Sequence, residues 1–133
     1  MIFFKKKSKY IFIVEDNAIY ANALMHYIKE NSAVDTIVKW FKVGELALEE
    51  IALQPSCVII DYKLNSHYFD AENGLDIALK MKKLSKKTNF IFLSSHHEIE
   101  MTIKLSAEKR FSYLKKDAVA FKELSRIISF KNN

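Results

Sequence analysis

Four acidic, hydroxyl or basic positions stand at the ends of apolar runs, and their types suit phosphoryl chemistry. Val58-Ile59-Ile60 ends in Asp61; Ile11-Phe12-Ile13-Val14 ends in Glu15-Asp16. A third run, Asn89 to Leu93, ends in Ser94, and Phe111 to Leu114 leads into Lys115-Lys116. Three carboxylates gathered at one place repel one another and at pH 7 need a cation. An all-oxygen donor set with room for water suits Mg²⁺ better than zinc. Asp61 can then serve as a nucleophile that forms an aspartyl-phosphate. The metal and the Lys116 ammonium would neutralise charge on the transferring group, and the Ser94 hydroxyl would hydrogen-bond one of its oxygens.

That chemistry requires a scaffold that brings distant residues together. The chain alternates strand-like and helix-like stretches. Strands are expected over residues 10–14, 34–41, 58–61, 89–93 and 111–114, with the second more exposed, as at a sheet edge. Helices are expected over 18–30, 44–53, 75–84, 98–108 and 118–130. Tyr20, Leu24, Tyr27 and Ile28 would share one face of the first helix, Leu46, Ile51 and Leu53 would mark the second, and Ile77, Met81 and Leu84 one face of the third. Ala120, Phe121, Leu124, Ile127 and Ile128 would be the buried positions of the last. Five strands alternating with five helices predict an α/β fold, a doubly wound, flavodoxin-like three-layer sandwich with parallel order 2-1-3-4-5. In that order strands 1 and 3 flank the crevice where the winding reverses, so Glu15, Asp16 and Asp61 meet there. Ser94 and Lys116 arrive from the two neighbouring strands.

Composition bounds the rest. With 133 residues, the chain is expected to form one domain, residues 1–133 with a core over about 9–130. Half of the residues are hydrophobic and the net charge is +5, with lysines scattered rather than interleaved with aromatics, so a nucleic-acid face is not expected. The single cysteine, Cys57, excludes a disulfide framework and reads as a small buried hydrophobe. Met1-Ile2-Phe3-Phe4 is too short for a signal segment and no stretch has the length of a membrane span, which leads to the expectation of a cytoplasmic protein.

At this point the chain resembles the receiver domain of two-component response regulators, of the chemotaxis-regulator type. The resemblance runs from Lys9 to Ile128. It rests on Ile-Phe-Ile-Val-Glu15-Asp16-Asn17, Pro55-Ser-Cys-Val-Ile-Ile-Asp61, Phe-Ile-Phe-Leu-Ser94 and Tyr113-Leu-Lys-Lys116-Asp117, in that order. By this resemblance Asp61 is the phosphoacceptor, and Glu15, Asp16 and the backbone carbonyl of Lys63 join it around Mg²⁺. Ser94 and Tyr113 match the switch pair and Lys116 the invariant lysine. Lys63, Ser95 and His96 fall where family members line the approach to the phosphoryl group and would tune its hydrolysis. The resemblance implies a phosphoprotein that phosphorylates and dephosphorylates itself rather than a turnover enzyme. Its donor would be a sensor histidine kinase or histidine phosphotransfer protein. Its readout would be a downstream protein bound on the face of helix 4, strand 5 and helix 5, with a homodimer as an open alternative.

The chain departs from the family pattern in places. The stretch from Asp61 to Gly74 is long and lacks the expected proline. Asp117 stands where a proline often follows the lysine, so no cis peptide is expected there. Ser95 replaces the usual alanine. Simpler roles exist for single residues. Asp16 or Asn17 can cap the first helix, Tyr113 can be a core aromatic, and the adjacent His96 and His97 can be solvated. Competing readings are a receiver-like adaptor that works without phosphorylation and the front piece of a longer DNA-binding regulator. A metal-dependent phosphatase would need a second acid where Lys63 stands. Flavin binding would need a Gly/Ser/Thr-rich loop after the first strand.

Overall fold

The computed structural model describes residues 9–33, 35–63, 73–95 and 107–128. Five strands, β1 (Lys9–Val14), β2 (Thr36–Phe41), β3 (Cys57–Asp61), β4 (Asn89–Ser94) and β5 (Phe111–Lys115), pair in parallel in the order β2-β1-β3-β4-β5. Helices α1 (Ala18–Asn31), α2 (Gly44–Glu49), α3 (Gly74–Leu84) and a C-terminal helix (Ala120–Ile127) connect and cover them. The doubly wound, flavodoxin-like sandwich expected from the sequence is the fold observed.

Alternation along the strands explains why the apolar runs are continuous. Phe12, Val14, Val58, Ile60, Phe90 and Phe92 face one layer, where Ala47, Ile77, Ala78 and Met81 of α2 and α3 meet them. Ile11, Ile13, Ile59, Ile91 and Leu93 face the other, against Leu24 and Ile28 of α1 and Leu124 and Ile128 at the C-terminal helix. A strand covered on both faces has no polar side to show. The edge strand β2 is mostly half-buried, with Ile37 exposed, as its weaker pattern suggested.

Several boundaries differ from expectation. The second helix breaks at Glu50 and continues only as a 3-10 turn over Ile51–Leu53, with Gln54 after it in the left-handed region at φ 51°. The last helix begins at Ala120, not 118, because the Asp117 carboxylate accepts the Val119 amide and Ala120 N bonds to the Asp117 carbonyl. Three expected core residues, Leu46, Leu84 and Ile127, are exposed, and Phe121 is only half-buried. The buried residues of these helices include Ala47, Ala78 and Leu124. Residues 98–106 of the helix expected over 98–108 and most of the long segment 62–73 lie outside the described residues, and residues 107 and 108 are not helical.

The edge holding the amino ends of the strands is tied by one guanidinium. Arg110 donates to the carbonyls of Lys82 (3.0 Å), Ser85 (2.8 Å) and Thr88 (3.1 Å) as the chain leaves α3. The Thr88 hydroxyl is buried between Ser85 Oγ at 2.5 Å and the Pro55 carbonyl at 2.6 Å.

Candidate functional site

Strand register alone levels the site residues. Val14 is opposite Ile60, so Glu15 follows at the height of Asp61; Asp61 is opposite Leu93, and Ser94 opposite Lys115. The end of β1, β3, β4 and β5 thus presents Glu15, Asp61, Ser94 and Lys116 along one edge.

Glu15, Asp16 and Asp61 each offer a carboxylate oxygen, and the three atoms lie within 4.8 Å of one another. Glu15 is only 2% exposed, while Asp16 and Asp61 are half-buried. The Lys116 ammonium is 2.5 Å from Glu15 Oε1 and 3.6 Å from Asp61 Oδ2. The other oxygen of each acid is held by backbone: Asn17 N donates to Glu15 Oε2 at 3.1 Å, and Lys63 N to Asp61 Oδ1 at 3.1 Å. Burial pushes the Glu15 carboxyl up to about 7, against the opposing pull of Lys116 and with the Asp61 charge adding to the rise. A compact set of three hard oxygen donors, one of them unwilling to ionise alone, fits a divalent cation of the Mg²⁺ kind.

The surroundings fix these groups. Asn17 caps α1 through its side chain, accepting Tyr20 N at 3.1 Å, so the cap is Asn17 and Asp16 is left for the site. The Trp40 indole donates to the Glu15 carbonyl at 2.8 Å, and Glu15 N bonds to Phe41 O, anchoring the start of the site to β2. Lys116 N bonds to Ser94 O at 2.7 Å, which ties the lysine to the end of β4. Ser94 is buried and Tyr113 half-buried against the α2–α3 layer. Gly74 opens α3 directly over the Asp61 backbone: a Cβ there would lie 2.3 Å from the Asp61 carbonyl oxygen. Only glycine allows that approach.

The sequence-expected residues Glu15, Asp16, Asp61, Ser94 and Lys116 therefore share one strand edge. Lys63 and Ser95 are exposed at its margin; His96 lies outside the described residues. No peptide bond among the described residues is cis, including the one joining Lys116 to Asp117. Cys57 is buried in the second layer, its thiol pushed up to about 12, and takes no part. Trp40 and Tyr20, which touch the site, were not expected there. Their contacts depend on packing between elements far apart in the chain.

The family model for the response regulator receiver domain matches residues 11–129. No curated protein matches the chain at a significant level. Among solved structures, the chain is similar to the signal receiver domain of a modulated diguanylate cyclase from Desulfovibrio desulfuricans. That likeness has 25% identity and a TM-score of 0.72, over 92% of this chain and 91% of that one. It is also similar in fold to a DNA-binding response regulator of the LuxR family from Staphylococcus aureus (18% identity, TM-score 0.73, covering 93% and 99%). A CheY-like receiver domain protein from Methanospirillum hungatei shares the fold as well (18%, 0.69, covering 90% of each).

Proposed function

The chain belongs to the response regulator receiver family, and from that premise we propose that it carries a phosphoryl group on Asp61 as a signal. The observation that supports this most is the meeting of two further carboxylates and one ammonium around the Asp61 side chain. An Asp61 oxygen attacks the phosphorus of a phosphohistidine; a P–O bond forms, the P–N bond breaks with its electron pair going to nitrogen, and the imidazole leaves neutral, keeping the proton already on its other nitrogen. Water later attacks the same phosphorus, releasing inorganic phosphate and restoring the carboxylate. Glu15, Asp16 and Asp61, with the Lys63 carbonyl, would hold Mg²⁺, which when bound offsets negative charge on the phosphoryl oxygens.

The protein's own groups do the remaining work. Lys63 N, on Asp61 Oδ1, orients the carboxylate. Lys116 lies near enough to follow negative charge from Glu15 toward an incoming phosphoryl oxygen. Ser94 would donate to a phosphoryl oxygen, with Tyr113 following it, and the phosphoryl group would stabilise one of two pre-existing conformations. Lys63, Ser95 and His96 would tune access of water. Residues 9–130 act as the core of one receiver domain. The donor is a histidine kinase or phosphotransfer protein, and the readout lies on β5, the C-terminal helix and the helix expected over 98–108.

The test is direct. Incubated with Mg²⁺ and a small phosphodonor such as acetyl phosphate, the intact protein gains one phosphoryl group by mass spectrometry. Asp61→Asn gains none, and chelation of Mg²⁺ prevents the gain. No gain in the wild type, or the same gain in Asp61→Asn, refutes the proposal.

A further inference from the structure

Lys116 has a third neighbour besides the two acids. Its ammonium sits over the face of the Tyr20 ring, 4.5 Å from the centroid. Tyr20 belongs to the first turn of α1, and its ring is held edge-on by Phe121 of the C-terminal helix, centroids 5.7 Å apart at 69°. The Tyr20 hydroxyl is buried and has no hydrogen-bond partner among the described residues. A buried tyrosine normally finds a partner for its hydroxyl, because leaving it unpaired is costly. What this side chain contributes here is its ring.

We propose that the Tyr20 ring is a cation–π seat that holds the Lys116 ammonium at the mouth of the site. Tyr20 is then a positioning residue for the phosphoryl chemistry. The seat itself is a property of the unphosphorylated protein; its kinetic consequence rests on the phosphoacceptor role of Asp61. Glu15, at 2.5 Å, is the stronger anchor at rest, and Asp61 is more distant at 3.6 Å. To meet a phosphoryl oxygen the ammonium must loosen from Glu15. A carboxylate in Tyr20's place would compete for it, and an aliphatic side chain would leave it uncompensated on that side. The quadrupole of an aromatic face attracts the cation without a formal charge, so the ammonium can turn toward Asp61 while one side stays covered. Core packing alone would ask only for an apolar body of similar size, which leucine also supplies. The two roles are therefore separable.

The experiment compares wild type with Tyr20→Phe and Tyr20→Leu, each checked for folding by its urea transition. In the unphosphorylated protein, NMR of the Lys116 ε-methylene protons reads the seat: a ring face beneath them shifts them upfield. The shift is expected in wild type and Tyr20→Phe and lost in Tyr20→Leu. With Mg²⁺ and acetyl phosphate, the initial phosphorylation rate is expected to fall about three- to tenfold in Tyr20→Leu, and to be retained in Tyr20→Phe. Ordinary Lys116 shifts in wild type overturn the seat. A Tyr20→Leu rate equal to wild type, or an equal loss in Tyr20→Phe, overturns its role in positioning. A wild type that shows the upfield shift yet takes no phosphoryl group upholds the seat and refutes the phosphoacceptor reading instead.

Discussion

Replacing Glu15 by glutamine removes one titrating proton from the most buried corner of the site and leaves its shape nearly unchanged. In the metal-free protein the Glu15 carboxyl is set by burial at about 7, against 4.5 in the unfolded chain. Between those two values the native state holds a proton that the unfolded state has lost, so stability falls as pH rises. The contribution is complete below pH 4.5 and gone above about 7. At about 1.36 kcal/mol for each pH step, the window corresponds to a loss of about 3 kcal/mol. The assay is urea unfolding from pH 5 to pH 8 with a chelator present, taking the difference between wild type and Glu15→Gln so that shared titrations cancel. That difference should move against the wild type by about 2–3 kcal/mol across the range. Adding Mg²⁺ at pH 8 should restore the wild type, because a bound cation favours the ionised acid, and should do far less for Glu15→Gln. A flat difference would refute the reasoning. One that grows in favour of the wild type with pH would show that the Lys116 ion pair at 2.5 Å outweighs burial, and the sign would be reversed.

Substitutions at three further positions probe the scaffold. Gly74→Ala places a methyl 2.3 Å from the Asp61 carbonyl oxygen and 3.2 Å from the Tyr62 Cα, all unyielding backbone. It should destabilise the protein by about 1–3 kcal/mol and slow Asp61 phosphorylation, measured by urea unfolding and a mass-spectrometric time course. Arg110→Ala strips three carbonyls of their shared donor and should cost about 3 kcal/mol in the same unfolding assay. Arg110→Lys should recover only part, since an ammonium lacks the planar fork. Gln54→Gly relieves a side chain at φ 51° and should raise stability by about 0.5–1 kcal/mol, whereas Gln54→Ala should bring no gain.

The layout of the sheet was legible because β1, β3 and β4 are covered on both faces, and burial of that kind writes an unbroken apolar run into the chain. The site was legible for a related reason: a charged residue that ends such a run has only the strand's exit to occupy, and register then levels Glu15, Asp61, Ser94 and Lys116. Helix edges were harder. Leu46, Leu84 and Ile127 fit a helical stripe as well as Ala47, Ala78 and Leu124 do, and only the packed fold shows that the latter three are the buried ones. The last helix was expected from 118, although the Asp117 carboxylate closes a turn that delays its start to Ala120. The indole of Trp40 on the Glu15 carbonyl and the ring of Tyr20 under Lys116 could not be read from spacing. Each joins elements whose mutual placement is a product of the folded core.

Arg110 gives the molecule an abutment. Its three bonds end on uncharged carbonyls at the rim opposite Asp61, so nothing that alters charge at the far rim pulls on them. A perturbation at the Asp61 rim therefore meets a chain whose opposite rim is held by three hydrogen bonds that do not depend on the charge at the site.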